Sequence, residues 1–491
     1  MSTTAATGFC RVTVVAPDSR IDVALPEDIA VADVYPEILR LTGQTQPAGA
    51  PTGYHLVRRD GSVLDGARTL AAQQVLDGEV LSLRPFAQSL PPAVYDDVSD
   101  AVASAVTRDR HLWSDELLRG AGLVGGVLLL VLMGFVLWFA DPVRHDMHSL
   151  PGIIAGAAGV LLTAFAGVRA RVYGDRATAV ALGLGALPLL LIAGSGIIAA
   201  DAGQGPGRLQ FLLGCVTVLV AAVALVALTP SGDAPFVAAT FLAAVGTLAT
   251  FVAILTEASA TQTASVCVPV AIGLVAFLPG LSARFARLPI GYAAPRSATD
   301  EEFLADPHQP APEQAQPVDG ERIALQARRG HEMLLGLVGG CAAVVVGSCA
   351  VLGFAGNVWG QLLALAAGLA MLLRARLFRY TAQVTCVLVA GLAAIALLVL
   401  GLSLNPPVDL VKDLLMYGDR GGLDIRTIWL SAAVAAGAAL VTAIGLIIPR
   451  KGLSPFWGRL LDLTEGFVLL SLVPLCLAVL DVFMRARSLT G

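Results

Sequence analysis

Seven cysteines, a scatter of loop aspartates and a few charged or aromatic residues near the front are the side chains here whose types lend themselves to chemistry. Cysteines hold metals or bridge one another when they come in close, regular spacings. Cys10 stands alone, and Cys215, Cys267, Cys341, Cys349, Cys386 and Cys476 all lie inside apolar runs. They read as small apolar packing residues, and neither a metal nor a cofactor is expected. A membrane glycosyl transferase would need acids in its outer loops. Asp141, Asp201, Asp409, Asp413, Asp419 and Asp424 lie in such loops but lack paired spacing, so they read as solvated. No P-loop, His-Glu-x-x-His or Gly-x-Ser-x-Gly is present, and no catalytic residue is expected. Recognition chemistry is left. Arg58, Arg84, Asp96, Asp97 and Trp113 are the candidate protein-interface residues.

The elements that must carry these residues are mostly apolar. The chain has 491 residues, 56% hydrophobic and 14% charged, which fits a membrane class better than one soluble core. Its formal net charge of −5 is mild, and no nucleic-acid partner is expected. After a front of roughly 120 residues come about eleven apolar stretches, each near the ~20 residues a helix needs to cross a bilayer. They fall at 120–140, 150–168, 177–200, 209–229, 234–255, 261–281, 332–355, 357–373, 380–404, 427–448 and 463–482. No cleavable signal peptide is visible, so the front should stay in the cytosol.

Basic residues set the orientation. One set of loops carries Arg169, Arg171 and Arg176; Arg284, Arg287, Arg296, Arg322, Arg328 and Arg329; Arg374, Arg376 and Arg379; and Arg450, Lys451 and Arg459. The other set carries only Arg144, Arg208, Lys412, Arg420 and Arg426, with Arg485 and Arg487 in the tail against the trend. The balance predicts a plasma-membrane protein with a cytosolic N-terminus and a periplasmic C-terminus. Trp113, Trp138, Trp359, Trp429 and Trp457 fall at span ends, where amphipathic rings sit best.

The front reads as strand, strand, helix and three strands. Cys10–Ala16 and Arg20–Leu25 are the first pair, Val31–Thr42 has helical spacing, and Gly43 stops it. Pro36 suits such a helix only near its first turn. Tyr54–Arg59, Ser62–Leu64 and Glu79–Arg84 follow, with a short helical turn near Leu70–Leu76. Alternation turns Leu56, Leu81 and Leu83 inward and leaves Arg58 and Arg84 on exposed strand faces. After Pro91-Pro92, Val94–Arg119 reads as an amphipathic helix, with Asp96 and Asp97 opposite its apolar stripe.

What the spans lack narrows the function. The interiors of the first ten contain no Asp, Glu, Lys, Arg or His, and only Glu465 and Asp481 flank the last. Ion- and proton-coupled transporters keep an ionisable group at depth despite its cost, so this pattern disfavours one and leaves an uncharged facilitator open. The spans are instead rich in small residues. Gly152, Gly156 and Gly159 form one series, Gly356 and Gly360 another, and Gly336, Gly339, Gly340 and Gly347 share a helix. Small residues let helices approach closely in lipid, within one subunit or between several. Pro188, Pro269 and Pro474 are expected to kink their helices. A polar linker at 282–331 divides the spans six plus five. Val408, Val411, Leu414 and Leu415 predict a short helix on the outer face.

The strand–helix order over 8–86 resembles the ubiquitin-like β-grasp fold. That front, the Val94-Tyr95-Asp96-Asp97-Val98 run with its following helix, and the six-plus-five arrangement together resemble EccD, the many-spanning subunit of mycobacterial type VII (ESX) secretion systems. The predicted organisation is an α-helical polytopic membrane protein with an N-terminal α+β ubiquitin-like domain at 1–89. A linker helix at 90–119, spans 1–6 at 120–281, the cytosolic linker at 282–331 and spans 7–11 at 332–491 complete it. The resemblance implies a non-enzymatic scaffold, two copies of which enclose a lipid-filled vestibule. It also implies that the ubiquitin-like domain docks an EccC-type ATPase, with EccE- and EccB-type subunits alongside. Among the paralogous systems the reading leans to the third, iron-linked one. The competing readings are a small-molecule transporter or facilitator and a membrane glycosyl transferase.

Overall fold

The computed structural model describes residues 8–17, 19–44, 53–85, 114–140, 146–200, 205–229, 233–286, 320–451 and 454–490. The chain divides into two compact units, Met1–Trp113 and Ser114–Gly491.

The described residues of the first unit form a four-stranded sheet with one helix packed on it. Strands β1 (Phe9–Val15) and β2 (Arg20–Pro26) form an antiparallel hairpin. Helix α1 (Val31–Thr42) crosses over, and β3 (Tyr54–Val57) and β4 (Val80–Pro85) complete the order β2-β1-β4-β3, with β1 and β4 parallel. Alternation explains the core. Cys10, Val12 and Val14 of β1 turn inward against Val34 and Ile38 of α1 and Leu56, Leu81 and Leu83 of the far strands. Gly43 closes the helix at φ 66°, a left-handed conformation that glycine adopts without a Cβ clash. Two expectations change. Pro36 lies inside α1 rather than in its first turn, because tertiary packing of Val34 and Ile38 outweighs the one N–H that proline cannot donate. Ser62–Leu64 is not a strand; only Val63 bridges to Val57.

The second unit is a bundle of long apolar helices. The spans are α2 (Asp115–Ala140), α3 (Leu150–Arg171), α4 (Arg176–Ser195), α5 (Arg208–Leu228) and α6 (Ala234–Leu255). They continue with α7 (Ala260–Val275) and α8 (Leu278–Phe285), then α9 (Gly320–Phe354), α10 (Val358–Arg374) and α11 (Thr381–Leu404). After the short α12 (Val408–Tyr417) come α13 (Gly421–Lys451), α14 (Pro455–Val479) and the terminal α15 (Val482–Thr490). Among the described residues ten helices are long and apolar enough to cross a membrane, and eleven segments qualify if α7 and α8 form one bent span. That bend is 66°. It falls at Ala276–Phe277, not at Pro269, and Pro279 lies in the first turn beyond it. Helices α4, α7 and α14 run on through Pro188, Pro269 and Pro474.

Packing splits the bundle one span earlier than the linker does. One core joins Ala166 of α3, Leu187 of α4, Ala222 and Leu225 of α5 and Phe236 of α6. The larger core joins Val268 and Ile272 of α7 to Val345, Leu363, Met371, Val387 and Leu472 from α9, α10, α11 and α14. Helix α9 bridges the two, because Gly336 and Gly340 let it press against Val237 and Phe241 of α6.

Candidate functional site

Among the described residues no three His, Cys, Asp or Glu side chains gather where a metal ion could be held. All seven cysteines are free, and five of them are buried. Asp409, Asp413, Asp419 and Asp424 are exposed on α12 and the turn into α13. Asp141 and Asp201 lie outside the described residues. The chemistry that the structure does assemble is ionic, and it is gathered at one end of the bundle.

There the helix ends are stitched together across long sequence distances. Asp175 caps α4 by accepting from the Thr178 N–H at 3.2 Å. The same carboxylate pairs with Arg119 of α2 at 2.6 Å and Arg169 of α3 at 2.5 Å. Those bonds, Thr178 first and then the two guanidiniums, hold its pKa down at about 2 against the cost of burial. Arg171 donates to the Ala227 carbonyl at the end of α5 (2.6 Å), and Arg176 pairs with Glu332 of α9 at 3.1 Å. Asp233, just before α6, lies near Glu332, Arg329 and Arg176. Burial pushes its carboxyl above the usual range, with Arg329 opposing. Farther round, Arg376 bridges Asp462 at 3.1 Å and Glu465 at 3.0 Å on α14. The two acids at the entrance of the last span thus belong to a clamp on the end of α10.

The opposite end is joined mostly through neutral acceptors. Met147 N–H donates to Gly196 O at 2.8 Å, and Arg208 donates to the carbonyls of Ala253 and Glu257. Arg426 donates to Leu402 O. Among the described residues the basic helix ends therefore share one face, as alternation of the spans requires.

The interface candidates in the first unit separate. Arg84 is exposed on the open face of the sheet, and exposed Phe9, Arg11 and Arg20 project from that same face. The last three were missed because sequence alternation identifies a face only once the strand order is known. Arg58 does not lie on an exposed strand face. It follows β3, is half-buried, pairs with Glu79 at 3.4 Å and donates to Gln73 O. Asp96, Asp97 and Trp113 lie outside the described residues.

The helix surfaces are the other notable feature. No residue of Gly421–Ile447 in α13 is buried, and in α2 only Gly134 is.

Residues 118–489 match the family model described as the EccD-like transmembrane domain. The chain belongs to the EccD family. Residues 9–83 match the model of protein YukD of the WXG100 protein secretion system, in agreement with a ubiquitin-like front. The ESX-4 secretion system protein eccD4 of Mycobacterium tuberculosis is 30% identical over 184 residues. That alignment spans 36% of this chain and 38% of the relative. The structure of protomer 1 of the ESX-3 core complex aligns with 97% of this chain and 100% of that chain at 18% identity and a TM-score of 0.58. The MycP5-free ESX-5 inner membrane complex aligns with 88% and 99% at 22% identity and a TM-score of 0.52. At these identities the two likenesses show the fold. The sequence relative belongs to the fourth system, and nothing here supports the lean towards the third.

Proposed function

We propose that this EccD-family chain is a non-enzymatic inner-membrane scaffold subunit of a type VII secretion complex. Two copies enclose a lipid-filled vestibule. The ubiquitin-like domain docks the cytosolic parts of an EccC-type ATPase, and EccB- and EccE-type subunits complete the assembly. The Arg-rich end faces the cytosol and α15 the periplasm.

The observation that carries this reading is α13. A helix of 31 residues with no buried face in its apolar stretch is built to be covered from outside its own chain. Three further features agree with it. The spans hold no ionisable group at depth to couple an ion to transport. The chain has no P-loop with which to hydrolyse ATP, so energy comes from a partner. The structural likenesses are themselves parts of multi-subunit membrane complexes.

The test is purification of the tagged chain from its native membrane in mild detergent, with mass spectrometry of what accompanies it. An ATPase and further membrane subunits in fixed ratio are expected. A lone monomer or homodimer that persists in gentler detergents overturns the scaffold reading and returns a small-molecule facilitator to first place.

A further inference from the structure

A cleft of about 520 Å³ opens at the Arg-rich end between α2, α3 and α4. Arg119, Arg169, Tyr173, Asp175 and Arg176 line it. Three guanidiniums face one carboxylate, and with Glu332 (the partner of Arg176) counted, one positive charge is left in excess. Each guanidinium carries five N–H donors, of which Asp175 engages few. The Nε–H of Arg169 finds no acceptor among the described residues. The same guanidinium lies 5.2 Å from the centroid of the Tyr173 ring, within cation–π range. Arg119, Arg169 and Arg176 are each at least 40% exposed, so their outer N–H groups are within reach of a ligand, although the Arg169 Nε–H is itself buried.

The position of the cleft specifies the ligand. It lies at the level where three spans leave the apolar layer. Below it α3 presents Phe165 and Leu161, one and two turns into the span from Arg169 and more than half exposed. Planar, bidentate donors above an apolar wall match a phosphate carried on acyl chains. We propose that the cleft binds the phosphate of an anionic phospholipid headgroup. Arg119, Arg169 and Arg176 are the donors, and Asp175 is the counter-charge with which the phosphate competes for them. The site involves no partner subunit, so it stands or falls separately from the scaffold reading.

The test uses the purified full chain in nanodiscs of zwitterionic lipid, with and without phosphatidylglycerol. It reads the lipid-dependent rise in Tm and the lipids retained in native mass spectrometry. Wild type should be stabilised and should retain the anionic lipid, and inorganic phosphate at matched concentration should reproduce neither effect. Arg119→Gln should bind the anionic lipid about five-fold more weakly, the equivalent of the ~1 kcal/mol that one basic residue contributes near an anionic surface. Asp175→Asn keeps a side chain able to cap Thr178 but removes the counter-charge, so it should bind more tightly. Opposite shifts in the two variants distinguish a ligand site from a structural clamp, whose loss would move both the same way. Equal shifts, no shift, or full stabilisation by inorganic phosphate would overturn the proposal.

Discussion

At the scale of single residues, a glycine shows its role by what a methyl group would strike. A Cβ on Gly401 of α11 would run into the carbonyl of Gly353 on α9, and main chain cannot yield as a side-chain tip can. Gly347 on α9 faces open space. Gly401→Ala should therefore lower stability by ~1–3 kcal/mol. Gly347→Ala should leave it unchanged or raise it slightly, since alanine is the better helix former. Thermal unfolding of the two proteins in the same detergent checks both. The glycine series read from the sequence mostly serves close packing inside this chain. Gly159 meets Leu190, Gly336 meets Val237 and Gly340 meets Phe241. The arginines of the ubiquitin-like domain divide in the same way. Arg84→Glu should weaken retention of the ATPase in a pull-down with the domain still folded, because Arg84 is exposed. Arg58→Glu should instead loosen the domain itself, by repelling Glu79 and losing the bond to Gln73 O. Circular dichroism of the isolated first unit distinguishes these outcomes. Equal retention of the ATPase by wild type and Arg84→Glu would remove Arg84 from the docking surface.

At the scale of elements, Asp175 is the joint of α2, α3 and α4. Its folded pKa of about 2 lies below the ordinary aspartate value of ~3.9. The unfolded chain therefore takes up the proton first as pH falls. The stabilisation is complete above the unfolded value and is lost as pH drops towards the folded one. Melting of the reconstituted protein from about pH 5 to about pH 3 should show a falling Tm that Asp175→Asn flattens. A parallel slope in the variant would remove Asp175 as the cause. None of this joint was visible in the sequence. Arg119 and Asp175 are 56 positions apart, and Arg176 and Glu332 are 156 apart. Hydrophobic periodicity reports which residues share a face of one helix, not which helix ends meet. The bend at Ala276–Phe277 escaped for a related reason. Proline positions mark lost N–H donors, but neighbouring helices let α7 continue through Pro269.

At the scale of the whole molecule the sequence was far more explicit. The spans announce themselves by length, because a bilayer admits few lengths and few charges. The apolar stretches at 150–168, 234–255 and 380–404 match α3, α6 and α11 closely. The ubiquitin-like front was legible because strict alternation and a glycine stop are local signals. The division of the bundle was not, since α7 precedes the linker yet packs with the helices beyond it. That choice depends on side-chain fit across the bundle and not on order along the chain. The proposed assembly predicts a complex of fixed stoichiometry that contains an ATPase, and copurification reads it at this scale.

Helix α13 is tied to its own chain chiefly at one end, where Arg426 donates to the carbonyls of Leu402 and Asn405 and α12 lies alongside. Along the rest of its length, among the described residues, no side chain of Gly421–Ile447 is buried against a neighbour. Turning it about its axis breaks no ridge-and-groove contact within the subunit. Among the described residues the Arg426 bonds hold its azimuth at one end, and the surface that comes to cover it sets the angle along the rest.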